Sequence, residues 1–300
     1  MEEHYCHLCA NGADVRNFII CEADYSAVFN MIGVCAANSG VIVVSFSIED
    51  SHPHVLLYGT RSGCACFKNL FETLYRHFAT KTRDGSVQST FHCELYWIGD
   101  EDYLRNVGVY TVIQATKDGK PVMPYDYRWG TGSMYFRSPH HIPLWLIDDD
   151  GIIHDPAPFG SLPARDKRRV LHSRRYTIPD SWSVCNGLIL PENYIDIERF
   201  ESIYRTHNRF RVFMASPRKV EQEMLARMSA ERGVAFEDME ARHLCGAECK
   251  SMFGTRDPRR LDGRQRILLA QRLRSQYRLT FRQIATIVYL PESEIRTYVR

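Results

Sequence analysis

No apolar run in this 300-residue chain approaches the roughly 18 residues that a membrane-spanning helix requires. The opening Met1-Glu-Glu-His-Tyr-Cys-His7 has no basic stretch followed by an apolar one, so no secretory leader is expected. Without an export signal, the ten cysteines read as reduced thiols of a cytoplasmic protein and argue against a disulfide framework. A charge excess of one sign is lacking too. The 38 basic and 36 acidic residues leave +2, so the partner class has to be sought in where charge sits. What is present is 44% hydrophobic and 25% charged residues, an ordinary composition for a soluble globular protein with a substantial core. The length suits about two domains.

The first 137 residues alternate between strand-like and helix-like periods. Val41 to Ile48 is β-branched and apolar, as a buried strand requires, and Val55 to Tyr58 continues as a second strand after the turn-like Glu49-Asp-Ser51. Val28, Met31, Ile32, Cys35 and Ala36 fall at helical spacing behind Asp24, a candidate cap. Phe67, Leu70, Phe71, Leu74 and Phe78 form another helical stripe; Val87 to Trp97 reads as extended and Asp100 to Thr116 as helical. This order predicts an α+β fold, a ferredoxin-like antiparallel sheet with helices on one face. Eight prolines from Pro139 to Pro217 make 138–217 an irregular connector packing on that domain, with one helix from Ile197 to Tyr204. Residues 218–300 return to helical patterns.

Three polar features suggest chemistry. His52 and His54 stand one residue apart at the start of a strand, so both imidazoles are expected on one face. Tyr110 and Gln114 are four apart on a predicted helix and share a face of it. If that helix lies beside the histidine strand, the amide oxygen of Gln114 completes a two-nitrogen, one-oxygen metal site, with Tyr110 aimed at whatever the metal holds. Only roughly 0.1% of a tyrosine with ordinary acidity is phenolate at neutral pH, so such a nucleophile needs an activated electrophile. A divalent ion polarising a phosphate oxygen supplies one, and mixed imidazole and amide ligands beside a phosphate suit Mg²⁺ or Mn²⁺. Tyr103, seven residues before Tyr110, is the competing nucleophile. Tyr127 and Trp129 read as packing residues.

Ser51-His-Pro-His-Val-Leu-Leu-Tyr58 resembles the Asn-His-Val-His-Leu-Leu-Val stretch of the HUH transposases. Tyr110 to Gly119, followed by Pro124-Tyr-Asp-Tyr-Arg-Trp129, is similar without a gap to that family's Tyr-Ile-x-Leu-Asn-Pro-x-x-x-Gly and Pro-x-Asp-Tyr-x-Trp. Asn11, Arg16 and the segment Glu22-Ala-Asp-Tyr25 add to the likeness. The chain is thereby identified with the single-tyrosine HUH transposases, of the REP-associated kind, over residues 4–137. The resemblance implies a HUH fold with His52, His54 and Gln114 holding the metal. It implies that Tyr110 attacks a DNA phosphate to leave a 5′-phosphotyrosine and a free 3′-OH. The substrate would be single-stranded or hairpin DNA from a palindromic repeat, and a homodimer is one possible assembly. Ser51 stands where the family has Asn, Pro53 where a bulky apolar residue is usual, and Gly130-Thr131 where Ser-Ser is common. A proline there places the site at the strand's first residues or distorts it.

Cys6-x-x-Cys9 and His243-x-Cys245-x-x-x-Cys249 have zinc-like spacing in pieces, although a structural site needs four ligands; core cysteines are the preferred reading. Between Lys250 and Arg300 stand twelve Lys and Arg against four acidic residues, a phosphate-binding footprint. The apolar pattern beneath runs through Ile267 to Leu273 and, after the capping-box form Thr280-Phe-Arg-Gln283, through Ile284 to Val288. With the turn Leu290 to Ser293 and the segment Ser293 to Arg300, it resembles a helix-turn-helix, in which Arg282 and Arg296 would contact DNA. Tyr289 occupies the turn position where glycine is usual. The leading reading is therefore a metal-dependent tyrosine DNA nuclease and strand transferase, a transposase. The alternative is a domesticated palindrome-binding DNA protein without transposition activity. A zinc-stabilised regulator ranks third.

Overall fold

The computed structural model describes residues 2–10, 18–82, 91–117, 124–137, 141–148, 150–215, 220, 238–277, 279 and 281–299. Asn11, Arg16, Val87, Gly119, Pro139, Pro217, Thr280 and Arg300, named above, lie outside them, as does the side chain of His243. The chain divides into two compact units, Met1–Met224 and Leu225–Arg300. No helix among the described residues is long and apolar enough to cross a membrane.

The first unit is α+β. Its leading elements run β1 (Glu3–Ala10), α1 (Glu22–Ser39), β2 (Ile42–Ile48), β3 (Pro53–Thr60), α2 (Arg61–Thr82), β4 (Cys93–Ile98) and α3 (Glu101–Lys117). The four strands form one sheet in the order β2-β3-β1-β4, and every pair in it is antiparallel. Local signals account for the boundaries. Helix α1 begins two residues before Asp24, which acts from its third position; the Asp24 carboxylate accepts the Ile20 N–H at 2.7 Å. Gly40 ends the helix in the left-handed conformation, φ 68°. The Thr60 hydroxyl accepts the Gly63 N–H at 3.1 Å, so β3 passes directly into α2. Asp100 caps α3 by accepting the Tyr103 N–H at 2.7 Å.

Strand alternation separates two faces. Cys6 faces Leu57 and Leu8 faces Val55 across the β1–β3 pair; these residues are fully buried and lie on the face covered by α1 and α2. The other face presents His7, Cys9, Leu56 and His54, and α3 packs there against β2 and β3. The expectation of helices on one face is corrected: α3 lies on the side opposite α1 and α2. It does so because its own buried residues include Tyr110 and Thr111, which meet the polar face of the sheet at His54 and Ser45. The Thr111 hydroxyl hydrogen-bonds that of Ser45 at 2.7 Å.

The exposed edge of β2 is covered. The Ile48 N–H donates to the Trp129 carbonyl at 2.9 Å and Thr131 donates to the Phe46 carbonyl at 3.0 Å. Farther along, the Asp196 N–H donates to the Val43 carbonyl at 3.2 Å. Pairing an edge in this way removes a template for aggregation. Tyr127 and Trp129 pack as anticipated: the Tyr127 hydroxyl donates to the Ile48 carbonyl at 2.5 Å, and Trp129 stacks on Tyr25 at 5.3 Å. Residues 141–215 add α4 (Ala164–Leu171), a three-stranded sheet of β5 (Ala157–Pro158), β6 (Ser183–Cys185) and β7 (Leu188–Ile189), then α5 (Ile197–Tyr204) and α6 (His207–Met214). They are pinned to the first sheet and its helices. Asn30 on α1 donates to the Gly187 carbonyl and accepts from the Ile189 N–H, both at 2.8 Å.

In the second unit the described residues form α7 (Asp238–Phe253), α8 (Gly263–Tyr277), α9 (Phe281–Val288) and α10 (Glu292–Tyr298), with a short 3₁₀ turn over Pro258–Arg260. Cys245, Cys249, Leu269, Leu273, Ile284, Ile287 and Ile295 share one apolar cluster. Burial pushes the Cys245 thiol up to about 12. Tyr289, between α9 and α10, holds φ 59°, the conformation for which glycine is the usual choice.

Candidate metal and tyrosine site

The α3 face of the sheet gathers a buried polar group. His54 is the second residue of β3 and is 1% exposed. His52 is half-buried in the turn before that strand, so the two imidazoles do not reach one another by strand alternation. The turn itself brings them together: Glu49 N–H donates to the His52 carbonyl at 3.0 Å, and the rings lie 4.5 Å apart at 66°. Pro53 opens β3 opposite Ile48, while the β1 register begins only at His54. The proline therefore sits at the strand's first residue, where its missing donor removes no bond to β1.

Two residues that the sequence did not single out complete the group. Glu49 is 4% exposed, with a carboxylate oxygen 3.5 Å from His54 Nε2. His7 on β1 is fully buried, and its Nε2 lies 3.1 Å from His54 Nδ1. Glu49, His52 and His54 bring one ligand atom each within 4.8 Å of one another, and so do His7, Cys9 and His54. Both sets share His54, with a different ring nitrogen facing each neighbour. A buried carboxylate with two imidazoles is a donor set for a divalent ion, and this group could hold one. Ser51 positions His52, its hydroxyl 2.7 Å from Nδ1.

Tyr110 arrives from α3 with its ring edge-on to His54 at 5.1 Å and to His7 at 6.2 Å. It is 4% exposed. Gln114, one turn farther, is fully buried, and neither its amide oxygen nor its nitrogen has a hydrogen-bond partner among the described residues. Tyr103, the competing candidate, is buried in the first turn of α3, two turns before Tyr110. Gly108 seats this helix. A Cβ there would collide with the Tyr204 hydroxyl, and that hydroxyl donates to the Arg105 carbonyl at 2.6 Å.

The zinc-like pieces resolve differently. Cys6 and Cys9 are three apart on one strand, so they point to opposite sides of the sheet and cannot share an ion. Cys9 belongs instead with His7 and His54. Cys245 and Cys249 sit in an apolar core, and all ten cysteines are free thiols. In the second unit Arg282 is exposed. Arg296 pairs with Glu292 within its own helix at 2.6 Å and lies over the Phe281 ring at 5.0 Å.

Set against known proteins, the chain matches no family model, no curated protein and no solved structure.

Sequence reasoning missed His7 and Glu49 for different reasons. The alternation Tyr5, His7, Cys9 is visible, but nothing local says that β1 pairs with a strand 47 residues away. Glu49 reads as a turn residue, and a solvated turn carboxylate is the ordinary case.

Proposed function

We propose that the chain is a metal-dependent tyrosine DNA nuclease and strand transferase of the HUH transposase kind. The observation that carries this reading is Tyr110 standing edge-on to His54, itself a member of the Glu49, His52 and His54 group. The βαββαβ order with strand order β2-β3-β1-β4 supports the ferredoxin-like, HUH form of the α+β fold. In this reading His52, His54 and Glu49 hold Mg²⁺ or Mn²⁺, with Gln114 offering a further amide oxygen. The bound ion would supply Lewis-acid polarisation of a DNA phosphate oxygen. Tyr110 attacks the phosphorus; the new bond joins its oxygen to the 5′ side while the bond to the 3′ oxygen breaks. The phenol loses a proton and the departing 3′ oxygen gains one. His7 Nε2 beside His54 Nδ1 would hold that ring with Nε2 toward Glu49, the orienting role that carboxylates and carbonyls play behind metal-binding histidines.

The basic second unit would hold DNA. Its order of α8, α9 and α10 with a left-handed residue between the last two supports a helix-turn-helix, with Arg282 and Arg296 reaching phosphates or base edges. The low exposure of Tyr110 favours a second reading, a palindrome-binding DNA protein without transposition activity. One experiment separates the two: incubate the protein with labelled single-stranded hairpin DNA and Mn²⁺ and run a denaturing gel. A covalent adduct that disappears in Tyr110→Phe is expected. Hairpin binding with no adduct across a broad panel selects the second reading, and an adduct that survives Tyr110→Phe removes Tyr110 as the nucleophile.

A further inference from the structure

A cleft of about 840 Å³ opens between the last turns of α2 and the chain around the end of α4. It uses none of the residues of the tyrosine site, since α2 covers the face of the sheet opposite α3. Lys81, Arg168, Arg174 and Arg175 line it together with His77 and His172. Among the described residues no carboxylate does so. Gathering four permanent cations around one concavity has an electrostatic cost that a polyanion relieves. The local field is already felt within the cleft: burial, then Lys81, holds the His172 imidazole below its ordinary range.

Aromatic surface accompanies the charge. Phe78 meets His172 edge-on at 5.8 Å, and the Arg175 guanidinium lies over the Tyr176 ring at 5.6 Å. Basic grooves interleaved with aromatic rings bind single strands, because cations follow the phosphates and rings stack on bases whatever their identity. A site for free phosphate has no use for the aromatic lining. We infer that this cleft binds a single-stranded nucleic acid, with Lys81, Arg168 and Arg175 contacting phosphodiesters and Tyr176 offering a stacking face. The inference shares its partner with the function proposed above, but it requires neither the metal nor Tyr110.

The test is fluorescence anisotropy of a labelled oligothymidylate with the full-length protein, in EDTA, over a series of NaCl concentrations. The variants are Lys81→Gln/Arg168→Gln/Arg175→Gln in the cleft and Arg282→Gln/Arg296→Gln in the second unit. Each phosphate contact to a single strand adds about 0.7 to the slope of log K against log salt. The cleft triple variant is therefore expected to lower that slope by about 2 and the low-salt affinity by roughly tenfold or more. All three side chains are exposed; should the triple variant fail to fold, the single Arg168→Gln and Arg175→Gln changes are each expected to lower the slope by about 0.7. Unchanged slope and affinity in the cleft variants would overturn the inference, whether or not the second-unit variant loses binding. Inorganic phosphate binding in the cleft as tightly as the oligonucleotide, by calorimetry, would overturn it equally by making this a small-anion site. Binding is read in EDTA, where metal-dependent strand cleavage does not run, so loss of the nuclease reading leaves this result standing.

Discussion

The two faces of the four-stranded sheet are built from alternate residues of the same strands and do opposite things. On the α1 and α2 side, Cys6, Leu8, Phe46, Val55 and Leu57 are fully buried apolar groups. On the α3 side, equally buried positions carry His7, Ser45, Ser47 and His54, met from the helix by Thr111 and Tyr110; Gln114 on the same helix is also fully buried. Burying a polar group is unfavourable unless it is partnered, whereas each apolar side chain contributes roughly 1.5–3 kcal/mol. The first face stabilises the unit, and the second consumes part of that stability to hold a Tyr–His–Glu constellation out of bulk water.

Substitutions can break or sharpen that contrast. The largest divergence is expected between Leu8→Ala and His54→Ala. The former should cost about 2–5 kcal/mol in urea denaturation and leave Mn²⁺ affinity nearly unaltered. The latter should weaken Mn²⁺ binding more than about 100-fold, beyond the range for residues that only support a ligand. Equal effects of the two on metal affinity would erase the distinction between the faces. Gly108→Ala comes next. Its methyl group collides with the Tyr204 hydroxyl and should destabilise the unit by about 1–3 kcal/mol, with relief when combined with Tyr204→Phe.

His7→Gln should lower Mn²⁺ affinity about tenfold in a calorimetric titration while melting close to the unaltered protein; no change would leave His7 as packing alone. Gln114→Met tests the trade directly. Replacing an amide that has no hydrogen-bond partner among the described residues by an apolar side chain of similar size should stabilise the metal-free protein by about 1 kcal/mol. The same change should weaken Mn²⁺ binding, and stabilisation without that loss would remove Gln114 from the ligand set. The smallest effect is in the second unit, whose described residues include a buried apolar cluster. Tyr289→Gly should relieve the left-handed backbone and stabilise by about 0.5 kcal/mol, the difference between a strain of roughly 1–2 kcal/mol and the greater freedom of unfolded glycine.

Much of this was legible locally. The helix Ile197–Tyr204 appears with the residues anticipated, and β2 and β3 fall where their β-branched and apolar runs stand. Tyr110 and Gln114 share α3 as their spacing required, and Pro53 falls at a strand's first residue, the place its missing N–H allows. The chemistry was legible only in part. His52 and His54 meet, but through a turn; that turn adds Glu49 to a group that could hold an ion, and His7 stands behind His54 from another strand.

Periodicity, capping and proline placement are properties of neighbouring residues, so the sequence by itself determined the alternation of strands and helices up to α3 and the presence of a histidine pair and a helical tyrosine. In 138–217, read as an irregular connector with one helix, it missed α4, α6 and the short three-stranded sheet. Which strand pairs with which, and on which face α3 lies, depend on burial summed over segments tens of residues apart. Tertiary structure alone decided that His7 stands behind His54, that Glu49 turns inward beside it, and that the basic residues of α2 and of the chain around α4 close on one cleft.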